Sequence, residues 1–537
     1  MEPQDAEAAF RRAAEAYAAG DPATAMALCR ELLTVAPEHP SVRQLAGMAA
    51  LRQGAAAEAA EHLSVAARGL PRDVGVQLNL GTALRAAGQL AAALAANDRA
   101  IELAPQHPGA WFNRANLLLQ LEREGEARAA FMQTLALQPA HSAAAFNLGL
   151  MLLSAEPEAA AGYLRQAIAQ GPPSAVAQAR LGAALRQTGD LTGAAEALTQ
   201  AVALDPADVE GLALLAAVKG EQEAWGEAVT HYRAALELAP ERADIASNLA
   251  WTLGESGALE EALAMARRAV AGDPALPAAH YHLGLIEQRR GDLAAAVAAM
   301  RATIALAPRH VRAHATLALL LEALGETEEA AGIAAPERQI TRLSLAELDP
   351  TVDMAALNAE LADWIYRHPT LLFDRPNRAT TGGAQTLDLA QEEAPALARL
   401  RGLLERAIAA DMAARAKQPK LAYFALPPAD WTLSIWAVVL SSGGYQAPHN
   451  HPSGFVSGVY YVRVPDSIGA GAEAGYIEFG LSNVKDAEGR ERASRFRLTA
   501  QPREGEALLF PSYLWHRTLP FTGAEDRISI AFDVLWR

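Results

Sequence analysis

The chain has 537 residues, a formal net charge of −16, 51% hydrophobic residues and only 6% aromatic ones. That length is too great for one ordinary core, and an alanine- and leucine-rich, aromatic-poor composition suits stacked helices in close small-residue contact. The acidity repels phosphate backbones, which argues against nucleic acid and for a neutral or basic polypeptide as partner, although solubility alone would also account for it.

The N-terminus, Met-Glu-Pro-Gln-Asp, has neither a basic nor an apolar signal region, and no run of about 18 apolar residues follows anywhere. The expectation is a cytoplasmic protein without membrane association. Cys29 is the single cysteine, so no internal disulfide can form, and its place on an expected repeat helix suits a small buried hydrophobe. Charge is uneven: residues 337–537 carry 21 Lys and Arg against 24 Asp and Glu, whereas the N-terminal part carries 25 against 38.

Prolines recur at Pro37, Pro71, Pro105, Pro139, Pro173, Pro206, Pro240, Pro274 and Pro308, in steps of 34 with one of 33. Gly47, Gly81, Gly149, Gly182 and Gly284 keep that phase where a first helix needs a small residue. Gly20, Gly54, Gly88, Gly189, Gly257 and Gly291 keep it at an expected turn, and Ala25, Ala59, Ala93 and Ala127 keep it where a second helix packs closely. A 34-residue helix-turn-helix period resembles the tetratricopeptide family over about residues 6–335, as nine units and a shortened tenth. The resemblance implies an all-α superhelix over residues 1–335 whose concave face holds an extended peptide or protein. Asn79, Asn113, Asn147, Asn248 and His282, each two residues before the small position of its unit, are the candidate substrate-binding residues; the alternative is that they bond to a neighbouring repeat.

Residues 336–350 read as a linker before a second domain, 351–537. Helices are expected over Met354–Arg367 and Glu393–Ala416, with a Gly/Thr/Asn-rich stretch around Asn377–Gly383 between them. From Leu421 onward, segments 431–440, 455–464, 475–479, 507–510 and 527–534 are short, β-branched or aromatic, and separated by turn residues. Helices first and strands later predicts a β-sandwich or barrel braced by helices.

His449 and His451 are two residues apart, so on a strand both imidazoles face one side, and His516 approaches from another strand. Imidazole suits iron, zinc, copper and nickel alike. Arg527, with Ser529 on the same strand face, adds a guanidinium able to grip a carboxylate in bidentate fashion. Asp533 shares that parity, and either pairs with an inward cation or sits at the strand's exposed end. Phe510 and Trp515 read as barrel core, and His368 as a surface loop residue.

His449-Asn-His-Pro452, Ser457-Gly-Val-Tyr-Tyr-Val462, the run Leu509–His516 and Arg527-Ile-Ser529 together resemble the Fe(II)/2-oxoglutarate-dependent oxygenases, and within them a bacterial group that joins this domain to tetratricopeptide repeats. The resemblance implies a double-stranded β-helix (jelly-roll) barrel with supporting helices. It assigns the metal to His449, His451 and His516 and the co-substrate to Arg527, Ser529 and Tyr461, with Tyr460 packing on the opposite face. The usual first motif of the wider superfamily is His-x-Asp/Glu, so His451 makes the site one unit more positive and either ligates directly or stands behind the metal. The implied chemistry is O2 activation at Fe(II), oxidative decarboxylation of 2-oxoglutarate, and hydroxylation of a side chain on a recruited polypeptide. The alternative is a repeat scaffold whose oxygenase-like domain only senses metal or metabolite.

Overall fold

The computed structural model describes residues 3–375, 379–417, 422–424, 427–469, 473–480 and 496–536, so Asn377 and Leu421 lie outside it. Two compact units divide the chain, Met1–Ala239 and Pro240–Arg537.

The first unit is a series of paired helices, from Pro3–Ala18 with Pro22–Val35 to Val209–Glu221 with Trp225–Leu238. The recurring proline stands just past the cap of each second helix, as Pro37 follows Ala36, because proline cannot continue a helix. The residue six places later often donates back to that proline's carbonyl, as Arg43 does to Pro37 and Trp111 Nε1 to Pro105 at 2.8 Å. The in-phase alanines Ala25, Ala59, Ala93 and Ala127 are fully buried, and so is Cys29, whose thiol burial pushes up to about 11. A Cβ on Gly47 would lie 2.5 Å from Leu63 Cγ, and one on Gly182 2.5 Å from Leu198 Cγ, so these helix pairs close only over glycine. At the turns, Gly54 and Gly88 have φ of 75° and 76°, and the in-phase residues Glu122 and Glu223 adopt the same left-handed conformation at 58° and 59°.

The second unit continues the repeats through Ala243–Glu255, Leu259–Gly272, Pro277–Arg290, Leu293–Leu306, Val311–Leu324 and Thr327–Ala334. Its strands are β1 (Thr341–Ser344), β2 (Leu372–Phe373), β3 (Thr380–Gln385), β4 (Trp431–His449), β5 (Val456–Arg463), β6 (Ile477–Phe479), β7 (Leu498–Ala500), β8 (Glu506–Pro511), β9 (His516–Thr518) and β10 (Arg527–Trp536). They form one curled antiparallel sheet in the order β1-β8-β5-β10-β4-β9-β6-β7, with the β2-β3 hairpin also on β4. The architecture is that of helical repeats followed by a jelly roll. Long β4 turns the sheet on itself: Trp431–Leu440 pair with β10, while Gln446 and His449 pair with β9.

Alternation along β10 separates structure from chemistry. Ile528, Ile530, Phe532 and Val534 belong to the core that packs Leu357 and Leu361 of helix Met354–Tyr366 and Leu400 and Leu404 of helix Pro395–Arg415. Arg527, Ser529 and Asp533 take the other face. The same core takes Val311 and Ala315 from the last full repeat. His314 of that helix donates from Nε2 to the Pro308 carbonyl at 2.8 Å and stacks on Tyr513, while the Tyr513 hydroxyl donates to the Ile333 carbonyl at 2.9 Å. Residues 336–350, the expected linker, carry β1, whose Thr341 donates to Asp411; Arg415 pairs with the same carboxylate and reaches the Gln339 carbonyl. His368 is a correction to the surface reading: it is buried, with Nδ1 2.9 Å from Thr370 Oγ1 and its ring edge-on to Trp364.

Candidate metal centre

His449 ends β4 and His516 begins β9, and the two are directly paired across the ladder. His451 follows two residues after His449, its backbone N–H held by the Ser512 carbonyl at 3.0 Å. One nitrogen from each of the three rings lies within 4.8 Å of the others, and the Nε2 atoms of His451 and His516 are 3.4 Å apart.

The outer nitrogens fix which way each ring faces. His449 Nδ1 lies 2.7 Å from the Ala447 carbonyl and His516 Nδ1 3.0 Å from the Leu514 carbonyl; a carbonyl only accepts, so both Nδ1 atoms carry the proton and Nε2 keeps its lone pair. His451 Nδ1 lies 2.9 Å from Asp533 Oδ2, which only accepts, so this Nδ1 also carries a proton and its Nε2 is the atom that faces the other rings. Burial, reinforced by repulsion from His451, brings the His449 pKa down to about 4. Burial first, then the other two histidines, holds His516 well below its ordinary value. Neutral imidazoles with inward lone pairs are what a divalent metal requires. Phe479 and Phe510 close on His516 at ring distances of 5.8 and 4.8 Å, and Trp436 stacks on His451 at 5.7 Å, which keeps the surroundings apolar.

Farther along β10 a second polar group, Arg527, is buried without a carboxylate partner among the described residues. Arg527 is 2% exposed, its Nε and Nη1 have no hydrogen-bond partner, and neither has the Tyr461 hydroxyl. The guanidinium carbon stands 5.2 Å from the Tyr461 ring centre, and Ser529 is in register with Tyr461 on β5. Burial lowers the Arg527 pKa and the neighbouring Tyr461 hydroxyl offsets part of that shift, and no carboxylate is paired with the guanidinium among the described residues. An unpaired buried guanidinium is costly unless an anion completes it. The donor set therefore fits both groups implied by the motifs: a metal on the three Nε2 atoms, and a carboxylate on Arg527 with the Ser529 and Tyr461 hydroxyls beside it. Tyr460 faces the other way and donates to Asn358 at 2.6 Å.

Two family models match the chain. One, described as "Putative 2OG-Fe(II) oxygenase", covers residues 434–533; the other, described as "Tetratricopeptide repeat", covers 78–133, 154–209, 214–277 and 281–335. The chain thus carries tetratricopeptide repeats and, over residues 434–533, a stretch that matches the 2OG-Fe(II) oxygenase family model. That family implies Fe(II) and 2-oxoglutarate as cofactor and co-substrate. No curated protein matches the oxygenase-repeat chain. Among solved structures, YrrB, titled a TPR protein with an unusual peptide-binding site, is 24% identical over 34% of this chain and 95% of its own, with a TM-score of 0.33. MamA from Desulfovibrio magneticus RS-1 is 23% identical over 32% and 96%, with a TM-score of 0.30, and the Cut9 complex Cut9-Hcn1 is 16% identical over 53% and 56%, at 0.35.

The candidate peptide-facing residues of the repeats divide. Asn147 donates to Asn116 of the preceding repeat at 3.0 Å, and His282 Nδ1 lies 2.8 Å from Ser247 Oγ while its ring stacks on Trp251. Both contacts are between repeats. Asn248 is exposed, and Asn79 and Asn113 are half-buried. Among the described residues, no helix is long and apolar enough to cross a membrane. Sequence reasoning overlooked Ser512 and Trp436, since neither residue type nor spacing marks them, and left open the partner of Asp533, which the parity of β10 already placed on the site's face.

Proposed function

We propose that the chain is an Fe(II)/2-oxoglutarate-dependent dioxygenase of the cytoplasm that hydroxylates a side chain of a neutral or basic peptide or protein recruited by its repeats. The observation that carries this reading is the pairing of three clustered imidazole nitrogens with one buried guanidinium that has no carboxylate partner among the described residues. On this reading residues 1–335 recruit, 336–350 connect and 351–537 catalyse.

Each residue has a separable task. His449, His451 and His516 would hold the metal, direct ligation by His451 being favoured because its Nδ1 is already occupied by Asp533 and its Nε2 faces His516. Arg527 would orient the far carboxylate of 2-oxoglutarate, and the Ser529 and Tyr461 hydroxyls would bond to it. Phe479, Phe510 and Trp436 would exclude water. Iron and 2-oxoglutarate, when bound, supply O2 activation and the oxidation of an unactivated C–H bond, so no protein base is needed. Asn79, Asn113 and Asn248 remain the polypeptide-facing candidates, with Asn147 and His282 supporting the inner wall.

The test is succinate formation from 2-oxoglutarate in air with Fe(II), for the wild type, His516→Ala and Arg527→Ala. Turnover by the wild type and its loss in both variants is expected. No succinate from any of the three would leave a repeat scaffold with a metal- or metabolite-sensing domain.

A further inference from the structure

The three imidazoles are not held alike. His449 and His516 give their Nδ1–H to neutral backbone carbonyls, whereas His451 gives its own to a carboxylate, Asp533 Oδ2 at 2.9 Å. That carboxylate is itself fastened. Ser457 Oγ donates to Asp533 Oδ1 at 2.6 Å; having spent its one proton there, it accepts from Ser512 Oγ at 2.8 Å. Ser512 in turn supplies the carbonyl that holds the His451 backbone. A Cβ on Gly454 would lie 2.6 Å from Ser512 Oγ and 3.3 Å from Asp533 Cγ, so the turn after His451 closes tightly over the group. No Lys or Arg is bonded to Asp533 among the described residues; its contacts are His451 and Ser457.

We propose that Asp533 is a positioning residue that restores to a three-histidine centre the negative charge lost where His451 replaces a carboxylate ligand. The charge sits one hydrogen bond behind the metal instead of on it. An anionic acceptor on Nδ1–H makes Nε2 a stronger donor and locks the ring, and such outer partners govern metal affinity. Asp533 thereby makes His451 a fuller substitute for a carboxylate than a free imidazole could be. This inference rests on the metal-centre reading of the three histidines.

The test uses the full chain, freed of metal, and Co(II) as probe, followed by calorimetry and by the ligand-field absorption bands. Asp533→Asn keeps shape and removes charge; it is expected to weaken Co(II) binding about 10–100-fold and to shift the bands. Ser457→Ala keeps the carboxylate and its bond to His451, and should stay within about threefold of wild type. Equal losses in the two variants would mean that packing carries the effect, and would overturn the proposal; so would wild-type affinity and spectrum in Asp533→Asn. Should Asp533→Asn not fold, the Co(II)-loaded wild type still decides. Its proton spectrum should contain a slowly exchanging imidazole N–H on His451, and free exchange of that proton overturns the proposal. Wild-type binding no tighter than that of His516→Ala would instead sink the metal centre itself.

Discussion

The imidazole of His314 lies against the ring of Tyr513, centroids 5.4 Å apart and planes 18° from parallel. One residue belongs to the last full repeat and the other to the turn that delivers His516 to β9, so a repeat helix braces the segment that leads into the candidate metal centre. Tyr423 meets both rings edge-on, at 5.0 Å and 4.8 Å.

A chain that begins at residue 336 therefore loses His314, the core residues Val311 and Ala315, and the Ile333 carbonyl that receives the Tyr513 hydroxyl. It should melt well below a chain that begins at Pro240, which keeps the whole second unit. Within the full chain, His314→Ala should cost about 2–3 kcal/mol, the usual scale for emptying a buried ring site. Identical melting of the two truncated chains would show that the repeat helix gives the barrel no support.

Acid should expose the same contact. Burial, helped by repulsion from His310, brings the His314 pKa down to about 4 from 6.5, against the opposing effect of the Nε2–H bond to the Pro308 carbonyl. Between those two values the unfolded chain binds the proton and the folded one does not, so stability is complete above about pH 6.5 and falls as the pH drops toward 4. The full loss from this one group is on the order of 3 kcal/mol. Urea unfolding at pH 7 and pH 4.5 should show a smaller pH difference in His314→Gln; an unchanged difference would place the acid sensitivity elsewhere.

Two turns in the first unit offer a gain. Glu122 and Glu223 are exposed and left-handed at positions where Gly54 and Gly88 stand in other repeats. Left-handed backbone costs a residue with a Cβ roughly 1–2 kcal/mol, part of which glycine returns through its greater freedom in the unfolded chain. Glu122→Gly and Glu223→Gly should each raise stability by about 0.5–1 kcal/mol, read from denaturant midpoints. A fall in either midpoint would mean that the glutamate side chain matters more than its backbone.

Arg527→Met should separate co-substrate from metal. Loss of two charge-assisted hydrogen bonds predicts at least about a hundredfold rise in the 2-oxoglutarate KM, and lysine, a point charge without the planar fork, should recover only part of it. Co(II) affinity should stay within about threefold of wild type, because no Arg527 atom is bonded to the histidines. Parallel loss of metal and co-substrate would break the assigned division of labour.

Much of this was legible in the sequence because it is periodic. The 34-residue recurrence of proline fixed the helix pairs, since a cap must recur wherever a hairpin does, and two-residue alternation put Arg527, Ser529 and Asp533 on one face of β10. The histidine triad was legible for the same reason, His449 being two residues from His451. What periodicity does not encode is contact between distant segments. The bond between Asp533 and His451, 82 residues apart, depends on β4 lying beside β10, and the burial of His368 depends on Trp364 and Thr370 folding over it. The Asn147 and His282 contacts to adjoining repeats likewise come from the stagger of one hairpin on the next.

Strand β4 is a single peptide that answers to two partners. Its first ten residues are registered against β10 and its last few against β9, with the break at Ser441–Gly444, where Gly443 has φ of 82° and a Cβ on Gly444 would collide with the Gly382 carbonyl at 2.4 Å. Register is thus set twice along one backbone. Inserting a single residue in that kink would leave Trp431–Leu440 zipped to β10 while turning His449 to the opposite side of the barrel wall, a barrel intact in outline and blind at its centre.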